Sequence, residues 1–508
     1  MIYGLKKLKQ INNNMKILLI NPPQVFSKSQ VAASVIPPLG LMYLASVSQE
    51  KGYEVKIIDT LVEAPDKING FDENTGYRGL NFDDIVRLVP KDTDIIGISN
   101  LFTFAYPIVK ELSKKIKEKF DTPIVVGGAH PSAVPEEVLK SSKIDYVIIG
   151  EGEQPFLDLC EFIRDKRVIE DVSSLAFRKG NKIKRNPRKS YIEDLDKLPF
   201  PDRDLISLEK YYKVHEAHGP SQDRWTPIIS SRGCPFECTF CTSVLWDRRW
   251  RPRSAKNVVD EIEACVKKYR ITEFHFEDEN LTFNKKRMIE ICDEIIKRKL
   301  KIKWQTPNGI RASVTDKETL KKMRKAGCYH ITVAPESGSE RVLNEIIRKH
   351  QNLEQVKNVV SWGKRYGMKV AAYFVIGLPG EKKEELIMSS NYANKLAKMG
   401  LDEVVFSLFI PLPGSELYSK LKQENRLPKN LTSLISIGDL SKSISWSEFI
   451  TNEELGRLRK SAYLKFHLTR LIYHPGPSFK TFFNIIRGHE ELKSERAMIT
   501  FIKRFTNR

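Results

Sequence analysis

The sequence predicts an α/β protein in three parts: a doubly wound, mostly parallel sheet, an open barrel of six β/α units, and a helical, basic C-terminal segment. Short apolar runs of strand length alternate with helical patterns from Met15 to about Ile163, and the alternation resumes after Trp225. At 508 residues the chain is also too long for one hydrophobic core, which favours two or three domains.

The first predicted domain, residues 15–163, contains five β-type runs separated by helical patterns. The runs are KILLINPP, EVKIIDTLV, DIIGISNLF, PIVVGGAH and DYVIIGEGE. Such alternation is typical of a parallel sheet with helices on both faces. Ligands bind these sheets beyond the carboxyl ends of the strands, which here are rich in turn residues. Met15 directly precedes the first run, so residues 1–14 are interpreted as an extension or a start-site artefact.

The next two parts are a linker and the barrel. Residues 164–225 have weak periodicity, with a hairpin pattern in LAFRKGNKIKRN and a stretch punctuated by prolines. Residues 226–414 then contain six β-type runs, most of them followed by a helical pattern: TPIISSRG, ITEFHFED, KIKWQTPNGI, HITVAPES, KVAAYFVIGLPG and EVVFSLFIPLPG. Six units are too few to close an eight-stranded barrel, so we expect a partial one with its site at the carboxyl ends of the strands.

The last part, residues 415–508, is predicted to be helical and basic. From Lys442 onward it contains 13 Lys or Arg against 6 Glu. An apolar stripe at helical spacing, with Lys480 and Arg487 beside it, consists of Phe479, Phe482, Phe483 and Ile486. We interpret the stripe as packing on the barrel and closing its substrate side. The alternative is contact with an anionic membrane or a lipid.

Composition limits the possible partners and the compartment. The net charge of +20 would attract nucleic acid, anionic lipid or a phosphorylated substrate, but lysines on the solvated faces of helices are the simpler explanation. No run approaches the roughly 20 apolar residues that span a bilayer, and the N-terminus lacks the apolar core of a signal peptide. The cysteines form no framework of disulfides, which indicates a reducing cytoplasm.

Three of the seven cysteines, Cys234, Cys238 and Cys241, crowd into SSRGCPFECTFCTS at the spacing C-x3-C-x2-C. A disulfide is disfavoured by the compartment and the odd count. Structural zinc normally needs four ligands in pairs, and the second pair is missing. A reactive thiol would need a catalytic partner, and none is nearby. An iron–sulfur cluster uses closely spaced thiolates in a loop, and three of them on a four-iron cluster leave one iron open.

The segment CPFECTFC, with Phe240 immediately before the last cysteine, resembles the signature of the radical S-adenosylmethionine (SAM) superfamily. The resemblance extends over the barrel, from about Trp225 to Gly414. It implies a partial TIM-type barrel, a 4Fe-4S cluster on the three cysteines, and SAM bound beside the cluster close to Phe240.

The same resemblance implies further SAM contacts. VAPESGSE resembles the fourth-strand segment that meets the ribose and methionyl part, which implies Glu336 and Ser337. FVIGLPGE resembles the glycine motif near the adenine, which implies Gly377 and Gly380. FHFEDENLT stands where the superfamily contacts the SAM amino group but departs from the usual Gly-Gly-Glu, so only its position carries over. Arg311 is a candidate partner for the SAM carboxylate, with a surface ion pair as the alternative.

The first domain resembles the Rossmann-like cobalamin-binding domain that commonly precedes the barrel in one branch of this superfamily. Ser99 and Leu101 match its Ser-x-Leu element, and Gly127 and Gly128 match its Gly-Gly element. A dinucleotide is not expected, because no G-x-G-x-x-G follows the first strand. The cobalt-ligating histidine motif is replaced by NPPQVFS, and His130 is interpreted as a residue that stabilises its loop. A degenerate domain without cofactor is the alternative.

Taken together, the resemblance implies a cobalamin-dependent radical SAM enzyme, preferably a methyltransferase that acts on an unactivated carbon through a 5'-deoxyadenosyl radical and methylcobalamin. One alternative is a cyclase or oxidative enzyme with the same cofactors, and another is a basic RNA-binding or membrane-surface protein with a structural cluster. The expected partners are a small-molecule, lipid or tetrapyrrole-like substrate and a low-potential electron donor such as flavodoxin or ferredoxin. Peripheral membrane contact is also considered, whereas a specific nucleic acid is not expected.

Overall fold

The computed structural model describes residues 15–27, 34–73, 75–221, 223–428, 434 and 443–506. It contains two large sheets that follow one another along the chain, each covered by helices, and a final group of helices. The residues before Met15 lie outside the described part.

The first sheet is formed by the region from Lys16 to Arg185. The strands of this region are β1 (Lys16–Asn21), β2 (Gln24–Ser27), β3 (Glu54–Asp59), β4 (Ile68–Gly70), β5 (Thr75–Arg78), β6 (Ile95–Ser99), β7 (Ile124–Gly127), β8 (Tyr146–Ile148), β9 (Leu175–Lys179) and β10 (Lys182–Arg185). The helices are α1 (Leu39–Glu50), α2 (Thr60–Glu63), α3 (Phe82–Leu88), α4 (Tyr106–Lys117), α5 (Ala129–Ala133), α6 (Pro135–Ser141) and α7 (Glu153–Ile163). The spatial order is β10-β9-β8-β7-β6-β1-β3, while β2, β5 and β4 form a separate small sheet.

The five strands predicted for this sheet are parallel neighbours, and both of its faces are buried. Ile17 and Leu19 of β1 pack into the hydrophobic core on one side, and Leu18 and Ile20 pack into the core on the other. Successive side chains of a strand point to opposite faces, so a strand covered on both sides is apolar at consecutive positions. The doubly wound sheet predicted from the sequence is confirmed.

The hairpin predicted within residues 164–225 is formed by β9 and β10, which pair antiparallel. It is not part of a free linker, because β9 also pairs antiparallel with β8 and thereby extends the first sheet by two strands. The short helix α8 (Leu208–Val214) follows and leads to the second sheet.

The second sheet has six parallel strands and the order of an unclosed barrel. Its region contains β11 (Trp225–Ile228), β12 (Ser231–Arg232), β13 (Arg251–Pro252), β14 (Glu273–Phe276), β15 (Lys303–Ile310), β16 (Cys328–Glu336), β17 (Lys369–Ile376) and β18 (Glu403–Leu408). The helices are α9 (Ala255–Tyr269), α10 (Lys285–Lys297), α11 (Lys317–Lys325), α12 (Leu353–Arg365), α13 (Lys383–Lys398) and α14 (Glu416–Gln423). The order is β11-β14-β15-β16-β17-β18, with β12 and β13 as a separate two-stranded ribbon. The predicted partial barrel is confirmed.

Helices α9, α10, α11 and α12 begin at polar caps that the sequence supplies. The side chains of Ser254, Asn284, Asp316 and Asn352 each accept a hydrogen bond from the backbone N–H three residues on. Such caps satisfy N–H groups that the first helical turn leaves unpaired. They fix where each helix leaves the loop at the carboxyl end of the preceding strand.

The C-terminal segment forms α15 (Asn452–Tyr473), α16 (Pro475–Arg487) and α17 (Lys493–Thr506), as predicted. The predicted packing of the apolar stripe on the barrel is wrong, because its four side chains are 52–64% exposed. The residue that α16 buries is Asn484, which donates a hydrogen bond to Glu495 of α17. Within the described residues, no helix is both long and apolar enough to cross a membrane.

Candidate active site

The three clustered cysteines lie on the loop between β12 and β13, and the pairing of Arg232 with Arg251 closes the base of this loop. All three thiols are free. The Nδ2 atom of Asn280 lies 4.0 Å from the Cys234 sulfur, and a guanidinium nitrogen of Arg311 lies 3.9 Å from the Cys238 sulfur. Burial raises the pKa of the Cys234 thiol, and the Asn280 donor offsets only part of this effect. The thiolate is the form that binds metal.

The start of the cysteine loop is held by Asp278, from the segment FHFEDENLT. Its carboxylate accepts hydrogen bonds from the Ser230 backbone at 3.0 Å and hydroxyl at 2.7 Å, and from the Ser231 hydroxyl at 2.5 Å. All three residues are buried. The second barrel strand therefore positions the loop through this carboxylate, next to Asn280.

The middle of the loop is held by the segment that follows β16. Thr239 donates from its backbone to the Ile347 carbonyl at 2.9 Å and from its hydroxyl to the Ile346 carbonyl at 2.6 Å. Its neighbours Cys238 and Phe240 pack against a hydrophobic cluster of barrel and C-terminal residues, and this cluster also receives Phe104 from the loop after β6 of the first sheet. The two domains thus meet at the cysteines.

The donor set fits a four-iron cluster. Among the described residues, no three His, Cys, Asp or Glu side chains stand close enough together to hold one metal ion. Cysteines of a four-iron cluster each bind a different iron, so their sulfurs need not converge on one point. The other cysteines, Cys160, Cys265, Cys292 and Cys328, are buried in the hydrophobic cores, and this confirms the packing predicted for the last three.

We expect Gly233→Ala to disrupt the cysteine loop. Gly233 has a φ of +86°, and a Cβ there would lie 2.0 Å from the Arg249 carbonyl oxygen, so the ribbon could not close. Gly488→Ala is the matched control, because Gly488 also has a positive φ but no atom within 4 Å of its added Cβ. The control should cost about 1 kcal/mol. Thermal unfolding and iron content would show a larger loss for Gly233→Ala, and equal effects would contradict the clash.

A buried ion-pair network, here called the seam network, joins the cysteine loop to the first sheet. Arg232 contacts Glu151 at 2.9 Å and Glu153 at 2.5 Å, and Arg251 contacts Glu151 at 2.8 Å. All four side chains are less than 10% exposed. Burial acts to raise the pKa of Glu153, but Arg232 outweighs burial and the pKa is lowered. The glutamates follow β8, so the network fixes the carboxyl end of the first sheet against the cysteine ribbon.

The residues predicted at the fourth strand lie at its carboxyl end. Glu336 has a φ of +63°, and its carboxylate pairs with Lys349 at 2.6 Å. Ser337 is fully buried, with its hydroxyl 3.2 Å from Ser389 of α13 and 3.1 Å from the Ser339 N–H that donates to it. In this structure Glu336 is therefore held by an ion pair, and the Ser337 side chain supports the turn against the helix layer.

The two predicted glycines shape the turn after β17. Gly377 and Gly380 have φ values of +78° and +77°. The Gly377 N–H donates to Glu381 Oε2 at 2.6 Å, and the Gly380 N–H donates to Glu448 Oε2 at 2.8 Å. A Cβ on Gly377 would lie 2.8 Å from Leu455. The glycine turn is therefore covered by the C-terminal segment, which supplies Glu448 and Leu455.

The fully buried carboxyl group of Glu381 is expected to make the free energy of unfolding depend on pH. Burial raises its pKa to about 7, and its Oε1 atom has no hydrogen-bond partner. Between the ordinary pKa of a glutamate and about pH 7, the carboxyl group of Glu381 is ionised in the unfolded chain but still protonated in the folded protein. The free energy of unfolding therefore falls by on the order of 3 kcal/mol as the pH rises through this range, and it is constant above it. Glu381→Gln should abolish this pH dependence. Denaturant unfolding at several pH values should therefore show that the variant becomes more stable relative to the wild type as the pH rises to about 7. If the difference in unfolding free energy between the variant and the wild type did not change with pH, the raised pKa of Glu381 would be contradicted.

Arg311 lies beside the cysteine loop. Its guanidinium carbon stands 3.6 Å from the centre of the Phe236 ring, and its Nε donates to the Ser313 hydroxyl at 2.9 Å. The side chain is buried, and within the described part of the chain no carboxylate lies at salt-bridge distance. The alternative of a surface ion pair is therefore wrong, and the guanidinium keeps donors for a ligand.

The four residues predicted to bind cobalamin are brought together at the carboxyl ends of β6 and β7. Ser99 pairs with Gly127 across these strands, and an added Cβ on Gly127 would meet no atom within 4 Å. Gly128 has a φ of +123°, and a Cβ there would lie 2.4 Å from the Asn100 carbonyl oxygen. Leu101 is 54% exposed. Open space above a glycine beside an exposed apolar side chain fits a large, flat macrocycle.

One further feature of this edge fits the same group. Phe102, also exposed, stacks on Phe104 with ring centres 5.2 Å apart, which extends the apolar platform. A cavity of about 460 Å³ lies between the two domains, with Ser132 and Arg188 on one side and Val244 and Asp247 of the cysteine loop on the other, and its lining contains none of the predicted site residues. A larger cleft of about 760 Å³ lies elsewhere, among lysines of α4 and the β9–β10 hairpin, and touches none of the predicted site residues.

His130 stabilises its loop, as the sequence analysis interpreted it. Its Nδ1 atom lies 3.2 Å from the Thr103 hydroxyl, and its ring packs on Tyr106 with centres 4.7 Å apart. Burial lowers the pKa of His130 to about 4, so the ring is neutral. This places the histidine within the fold rather than on the exposed platform.

Comparison with known proteins agrees with this geometry. Residues 29–160 match the B12 binding domain, and residues 228–393 match the Radical SAM superfamily. An uncharacterized methyltransferase of Pyrococcus horikoshii is 32% identical over 460 residues, which cover 89% of this chain and 93% of that protein. The chain belongs to the B12-binding radical SAM enzymes.

Other members of this family differ in their reactions. Cytidylyl-2-hydroxyethylphosphonate methyltransferase of Streptomyces wedmorensis is 32% identical, over 79% of this chain and 80% of that protein. Anaerobic magnesium-protoporphyrin IX monomethyl ester cyclase of Rubrivivax gelatinosus is 30% identical, over 80% of this chain and 70% of that protein. The family therefore includes both methyltransferases and cyclases.

Two solved structures share the fold of this radical SAM enzyme. One is the methyltransferase TsrM of Kitasatospora setae with cobalamin and a 4Fe-4S cluster bound, at a TM-score of 0.64 and 17% identity, over 81% of this chain and 75% of that one. The other is OxsB with aqua-cobalamin and SAM bound, at a TM-score of 0.66 and 17% identity, over 97% and 80%. Both support the two-domain fold.

The barrel lumen of this radical SAM enzyme contains buried polar side chains that the sequence analysis missed. Glu273 accepts hydrogen bonds from Gln305 at 2.7 Å and Tyr329 at 2.6 Å. Both ring nitrogens of His330 are buried without a partner, and burial lowers the pKa of His330 to about 3. Lys493 of α17 donates to Tyr373 at 2.6 Å, and burial lowers its pKa to about 8. The alternation of polar and apolar residues in EFHF and HITV is the sequence signal that could have indicated these inward-facing side chains.

Proposed function

We propose that this radical SAM enzyme is a cobalamin-dependent methyltransferase that acts on an unactivated carbon. The observation that carries the proposal is the meeting of the two domains at the cysteine loop. There, Phe104 from the edge of the first sheet packs in the same cluster as Cys238 and Phe240, and the seam network fixes the ribbon beneath them. A methyl carrier on one sheet and a radical generator on the other must face one substrate, and this arrangement provides that geometry.

We assign each cofactor to the residues that its sequence motif indicates. The cluster would be held by Cys234, Cys238 and Cys241. SAM would be held by Phe240, Arg311, Glu336, Ser337, Gly377 and Gly380, and cobalamin by Ser99, Leu101, Gly127 and Gly128. When bound, these groups supply an electron for reductive cleavage of SAM to a 5'-deoxyadenosyl radical, and a methyl group for transfer.

The chain's own contribution is orientation and exclusion of water. Asn280 and Arg311 direct N–H donors at two of the cysteine sulfurs. Phe409 and Trp446 complete the apolar cluster beside Phe240, with ring centres 6.5 Å apart. A dry, fixed environment protects a reactive radical from side reactions.

Methyl transfer is preferred over cyclisation because two relatives at 32% identity are named as methyltransferases. The cyclase of Rubrivivax gelatinosus, at 30% identity, favours cyclisation or oxidation as the second candidate. The substrate class remains a small molecule, lipid or tetrapyrrole. A low-potential one-electron donor such as flavodoxin or ferredoxin belongs to the proposal, since reductive cleavage of SAM consumes an electron that the chain does not supply.

The test uses SAM with an isotopically labelled methyl group. Anaerobically reconstituted protein is offered hydroxocobalamin, a strong reductant and labelled SAM, without any carbon substrate. We expect the label on the protein-bound corrinoid and an equal amount of S-adenosylhomocysteine. Formation of 5'-deoxyadenosine with no label on the corrinoid would favour the cyclase or oxidative alternative. Failure to retain corrinoid would overturn both.

A further inference from the structure

Helix α16 buries a polar residue and exposes its apolar stripe. Along α16 the side chains of Phe479, Phe482, Phe483 and Ile486 are 56%, 58%, 52% and 64% exposed, whereas Asn484 is buried. These apolar residues recur at i, i+3, i+4 and i+7, so they lie on one face of the helix. A helix that packs on a protein normally presents its apolar face to the protein. Here that face points to solvent.

The preceding helix α15 packs Leu455, Ala462 and Phe466 into the barrel core, but its later turns add further exposed apolar side chains. Leu464, Leu468, Leu471 and Ile472 of α15 are 61%, 49%, 43% and 73% exposed, while Arg470 of the same helix is buried. Helices α15 and α16 are in contact, and the exposed end of α15 leads directly into α16. We call these eight exposed side chains the C-terminal apolar face. Exposed apolar surface of this extent marks an interaction site.

Basic side chains accompany the face. Arg457, Lys460, Lys465 and Arg487 are exposed, and within the described part of the chain none of them has a carboxylate at salt-bridge distance. Arg487 lies over the Phe483 ring at 5.9 Å, so a cation stands at the border of the apolar surface. Aromatic and aliphatic side chains flanked by free cations are the pattern of a helix that lies in the interface of an anionic membrane.

We propose that the C-terminal apolar face docks this enzyme on an anionic lipid surface. The apolar side chains enter the boundary of the acyl chains, and the four cations neutralise lipid phosphates. A second copy of the chain fits less well, because a two-fold dimer through this face would bring the same cations together without opposing carboxylates. This inference stands independently of the proposed function, since it uses no residue of the candidate active site.

The test is sedimentation of the full-length, cofactor-reconstituted protein with sucrose-loaded vesicles. One set is pure phosphatidylcholine, and the other contains one-third phosphatidylglycerol. We expect binding to the anionic vesicles that falls with salt, and at least about tenfold weaker binding for Phe482→Ser/Phe483→Ser. The matched control is Ile68→Ser/Val168→Ser, at two apolar residues that are 66% and 60% exposed on the first domain.

The possible results distinguish a lipid surface from a second copy of the chain as the partner of the C-terminal apolar face. All variants change exposed side chains, so their thermal unfolding should match that of the wild type within a few degrees. A wild-type protein that fails to bind vesicles, or binds equally well after loss of both phenylalanines, would overturn the proposal. A dimer in sedimentation velocity that the phenylalanine variant abolishes, without vesicle binding, would instead assign the face to a contact between copies of the chain.

Discussion

Cys238→Ala is expected to yield a folded protein that has lost its iron and forms no 5'-deoxyadenosine from SAM. Cys238 is one of three thiols on a loop that other contacts hold in place, at Asp278, Thr239 and the ribbon base. Removing one of three cluster ligands leaves two irons open, which a four-iron cluster does not tolerate. Iron and sulfide analysis, the visible spectrum and mass spectrometry of the nucleoside products would measure the loss.

The control for this variant is another cysteine of the same domain. Cys265 lies on α9, is 2% exposed and packs in the barrel core. Cys265→Ala should cost about 1 kcal/mol of stability through lost packing, and it should keep iron and SAM cleavage. If Cys238→Ala retained a full complement of iron and its activity, the assignment of the cluster to this loop would be wrong.

Arg232→Gln is expected to weaken the attachment of the first sheet to the barrel. Its guanidinium contacts two buried glutamates, Glu151 and Glu153, at 2.9 and 2.5 Å. Breaking a buried ion pair leaves an uncompensated charge and costs about 3–5 kcal/mol. Urea unfolding followed by tryptophan fluorescence reports on this region, since Arg232 also lies over the Trp246 ring at 5.2 Å. We expect an earlier transition and weaker retention of corrinoid.

Arg249→Gln gives a matched control on the same loop. Its ion pair with Glu193 is exposed on both sides, with side chains 56% and 71% accessible. Exposed pairs contribute at most about 1 kcal/mol, so this change should leave unfolding and corrinoid binding close to those of the wild type. Arg232→Lys should rescue only part of the loss, because a single ammonium lacks the fork that contacts two carboxylates. Equal effects of Arg232→Gln and Arg249→Gln would show that the network does not hold the domains together.

The fold could be predicted because both sheets have local signals. The run KILLIN is apolar at consecutive positions since its strand is buried on both faces, and the caps at Ser254 and Asn284 mark where barrel helices start. The extension of the first sheet by β9 and β10 was not predicted. A hairpin that adds to a sheet edge has the same local sequence pattern as one that stands free.

The site could be predicted only where it is local. The cysteines lie within eight residues, whereas the seam network joins residues that are 79 to 100 positions apart. No periodicity relates Arg232 to Glu153 or Arg251 to Glu151, so their pairing follows from how the two sheets meet. A local motif can also mislead. The motif around Ser337 predicts a contact with SAM, whereas in the structure its hydroxyl contacts Ser389.

The C-terminal stripe was misread because periodicity reports that a helix is amphipathic but not which face the protein covers. The helix α16 buries Asn484 through its hydrogen bond to Glu495, a contact with another helix that the sequence pattern does not reveal. The same spacing that predicts a core face therefore also fits a face that meets lipid.

The most direct test of the two-cofactor assignment is the composition and reactivity of the anaerobically reconstituted wild-type protein after incubation with hydroxocobalamin. We expect each chain to retain four irons and one corrinoid, and to form 5'-deoxyadenosine and methionine on reduction in the presence of SAM. Retention of both cofactors with SAM cleavage would establish that one chain carries the cluster and the corrinoid together. Cleavage of SAM by a protein that retains no corrinoid would contradict the assignment of both cofactors to one chain, because the edge of the first sheet would then have no role at the cysteine loop.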